Sequence, residues 1–66
     1  MEIINFNKQI YPKKAILQAM VDFKNLAQFF LNDKSKYWQI KIDRVNQQFK
    51  NIIKDEFANY VLGLLA

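Results

Sequence analysis

The chain has 66 residues, ten Lys or Arg against six Asp or Glu, and neither histidine nor cysteine. That length holds one domain, residues 1–66, with about 60% of the unfolded surface buried. The missing side chains exclude disulfides, thiolate or imidazole metal sites and any Ser-His or Cys-His nucleophile.

Residues 2–10, EIINFNKQI, set Ile4, Phe6 and Ile10 against Asn5, Asn7 and Gln9. That period of two predicts a half-buried strand. The following YPKKAILQAMVDF, Tyr11 to Phe23, changes to helical spacing: Ile16, Ala19, Met20 and Phe23 share one face, with Lys14, Gln18 and Asn25 opposite. The helix is predicted from Pro12 to about Asn25, with Pro12 at the first helical position, where its missing N–H costs nothing. Lys13 and Lys14 stand in the first turn, where the helix dipole disfavours positive charge by a few tenths of a kcal/mol.

Residues 26–45 fit two readings. The helical stripe continues through Ala27 and Phe30, but FFLN-DKSK-YWQIKI also has the form of a hairpin. Asp33 to Lys36 make a polar turn, and Trp38, Ile40 and Ile42 then alternate with Gln39, Lys41 and Asp43. A strand over Ala27–Asn32 gives the second strand a neighbour and puts Ala27, Phe29 and Leu31 on one face, so the hairpin is the reading adopted. From Gln47 onward the 3.6-residue period returns in Phe49, Ile52, Ile53, Phe57, Tyr60, Val61 and Leu64, with Gly63 near the end. The expected fold is a two-layer α+β domain in the order β-α-β-β-α, a three-stranded sheet with two helices on one face. The expected core is Ile4, Phe6, Ile16, Met20, Phe23, Trp38, Ile40, Ile53, Phe57 and Tyr60.

No catalytic, cofactor-binding or metal-binding residues are expected. The single serine, Ser35, lies in a predicted turn without a base, and Asp55 and Glu56 project about 100° apart on a helix. With Gly63 as the only glycine there is no phosphate-cradling loop. The sequence reads as a binding protein rather than an enzyme. On the predicted register the sheet face away from the helices carries Ile3, Asn5, Asn7, Gln28, Phe30, Tyr37, Gln39 and Lys41. Of these, Phe30, Tyr37, Gln39 and Lys41 form the candidate binding face. Exposed aromatics beside lysine on a sheet suit unpaired bases; the same set suits a solvated face or an interface between copies. An open sheet edge also accepts a peptide as an added strand. The net charge of +4 is spread over scattered lysines, a weak attraction to nucleic acid.

With 52% apolar and 15% aromatic residues and no covalent staple, self-association is expected. A homodimer would pair strand edges or bury Phe30, Tyr37 and the Leu62–Leu65 tail. No apolar run approaches the roughly 18 residues of a membrane span, and the start, with Glu2, lacks a signal-peptide pattern, so a cytoplasmic location is expected.

Two motifs carry a family resemblance. Tyr11, Pro12, Ala15, Ile16, Ala19 and Phe23 form the first; Glu56-Phe57 followed by Asn59 and Leu62 forms the second. With a strand before and a hairpin between, they resemble the HxsD family, the small D component of His-Xaa-Ser systems, over about residues 3 to 62. Lys14 stands where that family often has an acid, and a basic C-terminal end is replaced by Gly63-Leu64-Leu65-Ala66. The resemblance implies a noncatalytic accessory protein working beside radical-SAM maturases, binding a precursor peptide or a maturase. Tyr11 and Asn59 are read as structural, Tyr11 packing at the helix start and Asn59 bonding between elements.

Overall fold

The computed structural model describes residues 1–66. Three strands, β1 (Glu2–Asn7), β2 (Gln28–Asp33) and β3 (Tyr37–Asp43), form one antiparallel sheet in the order β1-β3-β2. Helix α1 (Lys13–Asp22) connects β1 to β2, and α2 (Ile53–Gly63) closes the chain. Because β1 and β2 both run antiparallel to β3, they are parallel to each other with β3 between them. This is a split βαβ unit with a second helix added, and it has the expected α+β order.

The hairpin reading holds, with its first strand shifted by one residue from the expected Ala27–Asn32 to Gln28–Asp33 and the turn shortened to residues 34–36. Lys34 N–H bonds the Tyr37 carbonyl at 3.1 Å to close the turn, and β2 pairs with β3 from Gln28↔Asp43 to Asp33↔Trp38. The core face of the sheet carries Ile4 and Phe6 from β1, Phe29 and Leu31 from β2, and Trp38, Ile40 and Ile42 from β3. Ala15, Ile16 and Ala19 of α1 and Ile53, Phe57 and Val61 of α2 are buried in one cluster with Phe6, Ala27, Ile40 and Ile42. No polar side chain is buried.

Aromatic rings join the layers. Phe57 is fully buried, stacked on Phe29 at 4.6 Å, edge-on to Phe23 at 5.4 Å and to Phe6 at 6.2 Å. Such pairs contribute about 0.5–1.5 kcal/mol each beyond the area they bury. At the other end of the core, Phe6 meets Tyr11 edge-on at 5.0 Å, so Tyr11 does pack at the helix start. The Trp38 indole N–H donates to the Tyr11 carbonyl at 3.0 Å.

Several boundaries differ from the sequence reading. Strand β1 stops at Asn7, because the Asn7 side chain accepts the Gln9 N–H at 2.8 Å and its carbonyl accepts those of Ile10 and Tyr11. Ile10 is consequently exposed in the turn rather than inward with Ile4 and Phe6. Pro12 is the N-cap of α1, with extended backbone, and not its first helical residue. Helix α1 ends at Asp22: Phe23 leaves helical geometry at φ −99° and ψ 4°, and Leu26 N–H bonds the Phe23 carbonyl in a turn. The predicted second helix is split. Gln47–Phe49 form one 3₁₀ turn, capped by the Asn46 side chain on Gln48 N–H at 3.1 Å, and α2 starts only at Ile53. Ile52, the N-cap residue, has φ −122° and is exposed. A single turn lets Phe49 pack beside the core and leaves Ile53 free to enter it on a new axis. Tyr60, expected in the core, is exposed on α2, and Trp38 is half-buried at the rim. Asn59 is exposed on α2 and its side chain bonds no other element.

The connection after β3 is set by Arg44, whose φ of 49° is left-handed and whose N–H is held by the Asp43 carboxylate at 2.9 Å. It turns the chain so that Asn46 N–H reaches the Leu26 carbonyl at 2.7 Å, tying the two loops at that end of the sheet.

The Trp38 contacts separate packing from hydrogen bonding. Trp38→Ala loses both and is expected to cost about 3–5 kcal/mol, most of what so small a core supplies. Trp38→Phe keeps most of the ring and loses mainly the bond to Tyr11, about 1 kcal/mol. Thermal melts of the two variants check this; equal losses would contradict it.

Candidate functional site

Both helices contribute to the core on one side of the sheet, leaving the opposite face uncovered. Strand β3 presents Tyr37, Gln39, Lys41 and Asp43 there, because alternate side chains point to opposite faces. The register adds Ile3 and Phe30 on either side of Lys41, and Asn5 and Asn32 on either side of Gln39. Asn32 Nδ2 donates to Gln39 Oε1 at 3.2 Å. Phe30 is 50% exposed and Ile3 43%. The predicted residues Phe30, Tyr37, Gln39 and Lys41 therefore do share one face.

They do not form one compact site. Phe30 and Lys41 are direct cross-strand neighbours and Gln39 is in the next row, but Tyr37 lies four residues from Lys41 along β3, about 13 Å at 3.3 Å per residue. Phe30 and Tyr37 are thus two separate apolar points, not a continuous stacking platform.

Charge is distributed unevenly. Lys8 after β1, Lys34 and Lys36 in the β2–β3 turn, and Lys13 and Lys14 in the first turn of α1 share one end of the sheet. The only carboxylate on these segments, Asp33, is ion-paired to Lys8. The remaining five cations and five carboxylates of the chain balance, so the net +4 resides at this end. The Lys8 ammonium also lies 4.3 Å from the centre of the Trp38 ring, and that of Lys13 lies 5.8 Å away. These contacts hold the indole under a lid of lysine stems.

A second apolar surface escaped the sequence reading. Leu17, Met20 and Val21 of α1 and Ala27, Phe29 and Phe30 at β2 line an open groove of about 800 Å³, with Lys24 at its margin. Leu17 and Val21 also line the adjoining depression, beside Lys13 and Lys14. Neither depression is lined by a carboxylate. Leu17 and Val21 are 42% and 58% exposed, and their i, i+4 spacing beside the main stripe was a legible signal of a second apolar face on α1.

On the other side of α1, Tyr60 Oη donates to Asp22 Oδ2 at 2.5 Å, and Gln18 Nε2 donates to Asp22 Oδ1 at 3.0 Å. This clamps α2 to the last turn of α1. No three carboxylates converge as a metal site would require, and no helix is long and apolar enough to cross a membrane.

The fold and these surfaces define a small two-layer α+β domain with one sheet face and one flanked sheet edge left uncovered. Comparison with protein-family models, curated proteins and solved structures returns no match to this chain.

The Tyr60–Asp22 bond has a pH signature. Hydrogen bonding to Asp22, then desolvation and the carboxylate charge, raise the Tyr60 phenol above its ordinary value of 10.0. The folded state therefore holds this proton more tightly than the unfolded chain. The bond's contribution is full below pH 10 and is lost as pH rises through the folded pKa. Phenolate absorbance should show Tyr60 ionising above 10 in the parent and moving back toward 10 in Asp22→Ala. An unchanged titration in that variant would contradict the assignment.

Proposed function

We propose that this chain is a noncatalytic adaptor that binds a polypeptide partner through the uncovered part of its sheet. The observation that supports this most is the open face with Phe30, a half-exposed aromatic beside Lys41 in a domain with only ten buried residues. A folded chain this small gains little from leaving phenylalanine in water, so the side chain suits a contact made elsewhere. The likeness to HxsD in Tyr11–Phe23 and Glu56–Leu62 points the same way. On it the partner is a precursor peptide or a radical-SAM maturase, met in the cytoplasm. Self-association belongs to the same proposal, with Ile3, Phe30 and Tyr37 covering one another between two copies until a polypeptide partner takes the second copy's place.

A second reading has its own observation. The lysine-rich end, with Tyr37 leading from it onto the open face, suits a single-stranded nucleic acid. The roughly 13 Å between Tyr37 and Lys41, beside which Phe30 stands, counts against it, since adjacent bases need adjacent stacking partners. Salt separates the two readings, because lysine–phosphate contacts release counterions and weaken steeply as salt rises.

Titration against a labelled single-stranded oligonucleotide at low and high salt should show no micromolar binding in either, while light scattering at tens of micromolar gives a dimer mass. Micromolar binding at low salt, lost at high salt and in Lys41→Glu and Tyr37→Ala, would replace the adaptor reading with the nucleic-acid one. A monomer mass would remove self-association.

A further inference from the structure

We propose that the groove between α1 and β2 binds an extended, apolar, acid-flanked segment of a partner polypeptide, added to the sheet as a fourth strand beside β2. This deepens the adaptor reading and rests on it.

Backbone geometry supports the extended form of the ligand. Strand β2 is a sheet edge, and no backbone bond outside the β2–β3 ladder uses its N–H or C=O groups. Half of those groups therefore point outward, in the pattern an added strand pairs with. Strand β1 is an edge too, but the depressions at its two ends are polar, lined by Asn7, Lys8, Gln9 and Lys36 or by Glu2, Asp43 and Arg44. Strand β2 is flanked by apolar side chains on both sides of its edge, Leu17 and Val21 toward the helix layer and Phe30 on the open face, and they line one open groove. A strand laid there places alternate side chains against these two flanks. Its alternation is thus apolar toward α1 and apolar or small toward Phe30.

The charges select the partner. Lys24 stands at the groove, Lys13 and Lys14 stand where it continues past Leu17, and no carboxylate lines either depression. Of the acids nearest the groove, Asp22 is bonded to Tyr60 and Gln18, Asp33 to Lys8, and Asp43, opposite Gln28 on β3, accepts the Arg44 N–H. The groove is therefore complementary to carboxylates that flank the apolar segment. A second copy paired groove to groove would bring the same lysine-flanked surface and no carboxylate to match, so the occupant we assign is a different chain.

The test is selection of a random twelve-residue display library against the full chain, followed by affinity measurements on synthetic copies of the enriched peptides. Enriched peptides should alternate apolar residues between Asp or Glu and slow amide exchange over Gln28–Asp33. Their affinity should fall at least tenfold for Leu17→Asp, and about tenfold for the double variant Lys14→Glu with Lys24→Glu. Binding to that double variant should recover when the peptide acids are replaced by lysine. Leu17 and the two lysines are exposed, so both variants fold, and circular dichroism checks that they do. Peptides without acidic bias, or without slowed exchange in β2, would overturn the groove assignment. Peptides that bind Leu17→Asp as well as the parent but lose affinity in Tyr37→Ala would overturn it and leave the adaptor reading standing. No enriched peptide would count against both. A chain that sediments as a dimer and becomes monomeric in Leu17→Asp would give the groove to a second copy instead.

Discussion

The fold depends on the burial of Phe57. Its ring touches aromatic side chains from β1, from the turn after α1 and from β2, while Ile40 and Ile42 of β3 are buried in the same core. In a 66-residue chain with neither cysteine nor histidine, such a junction substitutes for size. It joins elements distant in sequence through one side chain, in the same cluster in which Ile16 and Ala19 of α1 and Ile53 and Val61 of α2 are buried. The 3₁₀ turn and the abrupt start of α2 follow from this requirement: α2 must begin where Phe57 can enter between Phe6 and Phe29.

Placing both helices on one side has a consequence for the rest of the sheet. Three strands have two faces and two edges, and two short helices cover only one face. The chain fills the other with amides, Lys41, Asp43 and, at one end, Tyr37, the usual solution for a sheet face in water, except at Ile3 and Phe30. Those two, with Leu17 and Val21 across the β2 edge, are apolar groups that the core does not use. They border the same strand or its row, and the depressions lined by Leu17, Val21 and Phe30 carry Lys13, Lys14 and Lys24 and no carboxylate. The proposed binding surfaces are therefore continuous with each other around β2.

Much of this was legible in residue spacing. The alternation of Trp38 to Asp43 and the polar break at Asp33–Lys36 specified the hairpin, and a period of two then fixed which residues face away from the helices. Phe30, Tyr37, Gln39 and Lys41 fell on one face for that reason alone. Spacing did not reveal that Asn7 ends β1, since an Asn side chain reads equally well as outward strand or as turn. Nor did it reveal the break before Ile53, because Phe49, Ile52 and Ile53 fit one helical stripe and only the three-dimensional position of Phe57 requires two axes. Tyr60 matched the apolar stripe as well, but its hydroxyl found Asp22 and stayed outside. The α1–β2 groove was missed because it forms between elements: the spacing of Leu17 and Val21 signals a second apolar face on α1, but only β2 lying beside them makes it a groove.

The central claim is that two apolar sets have separate purposes, Phe57 closing the core and Phe30 remaining available for a partner. Thermal melting of Phe57→Ala and Phe30→Ala compares them directly. The account predicts that Phe57→Ala, losing about 3–5 kcal/mol, is largely unfolded at room temperature. It predicts that Phe30→Ala, losing at most about 1 kcal/mol of cross-strand contact, melts within about 8 °C of the parent. Comparable destabilisation by the two substitutions would show that Phe30 holds the fold together and would contradict the account.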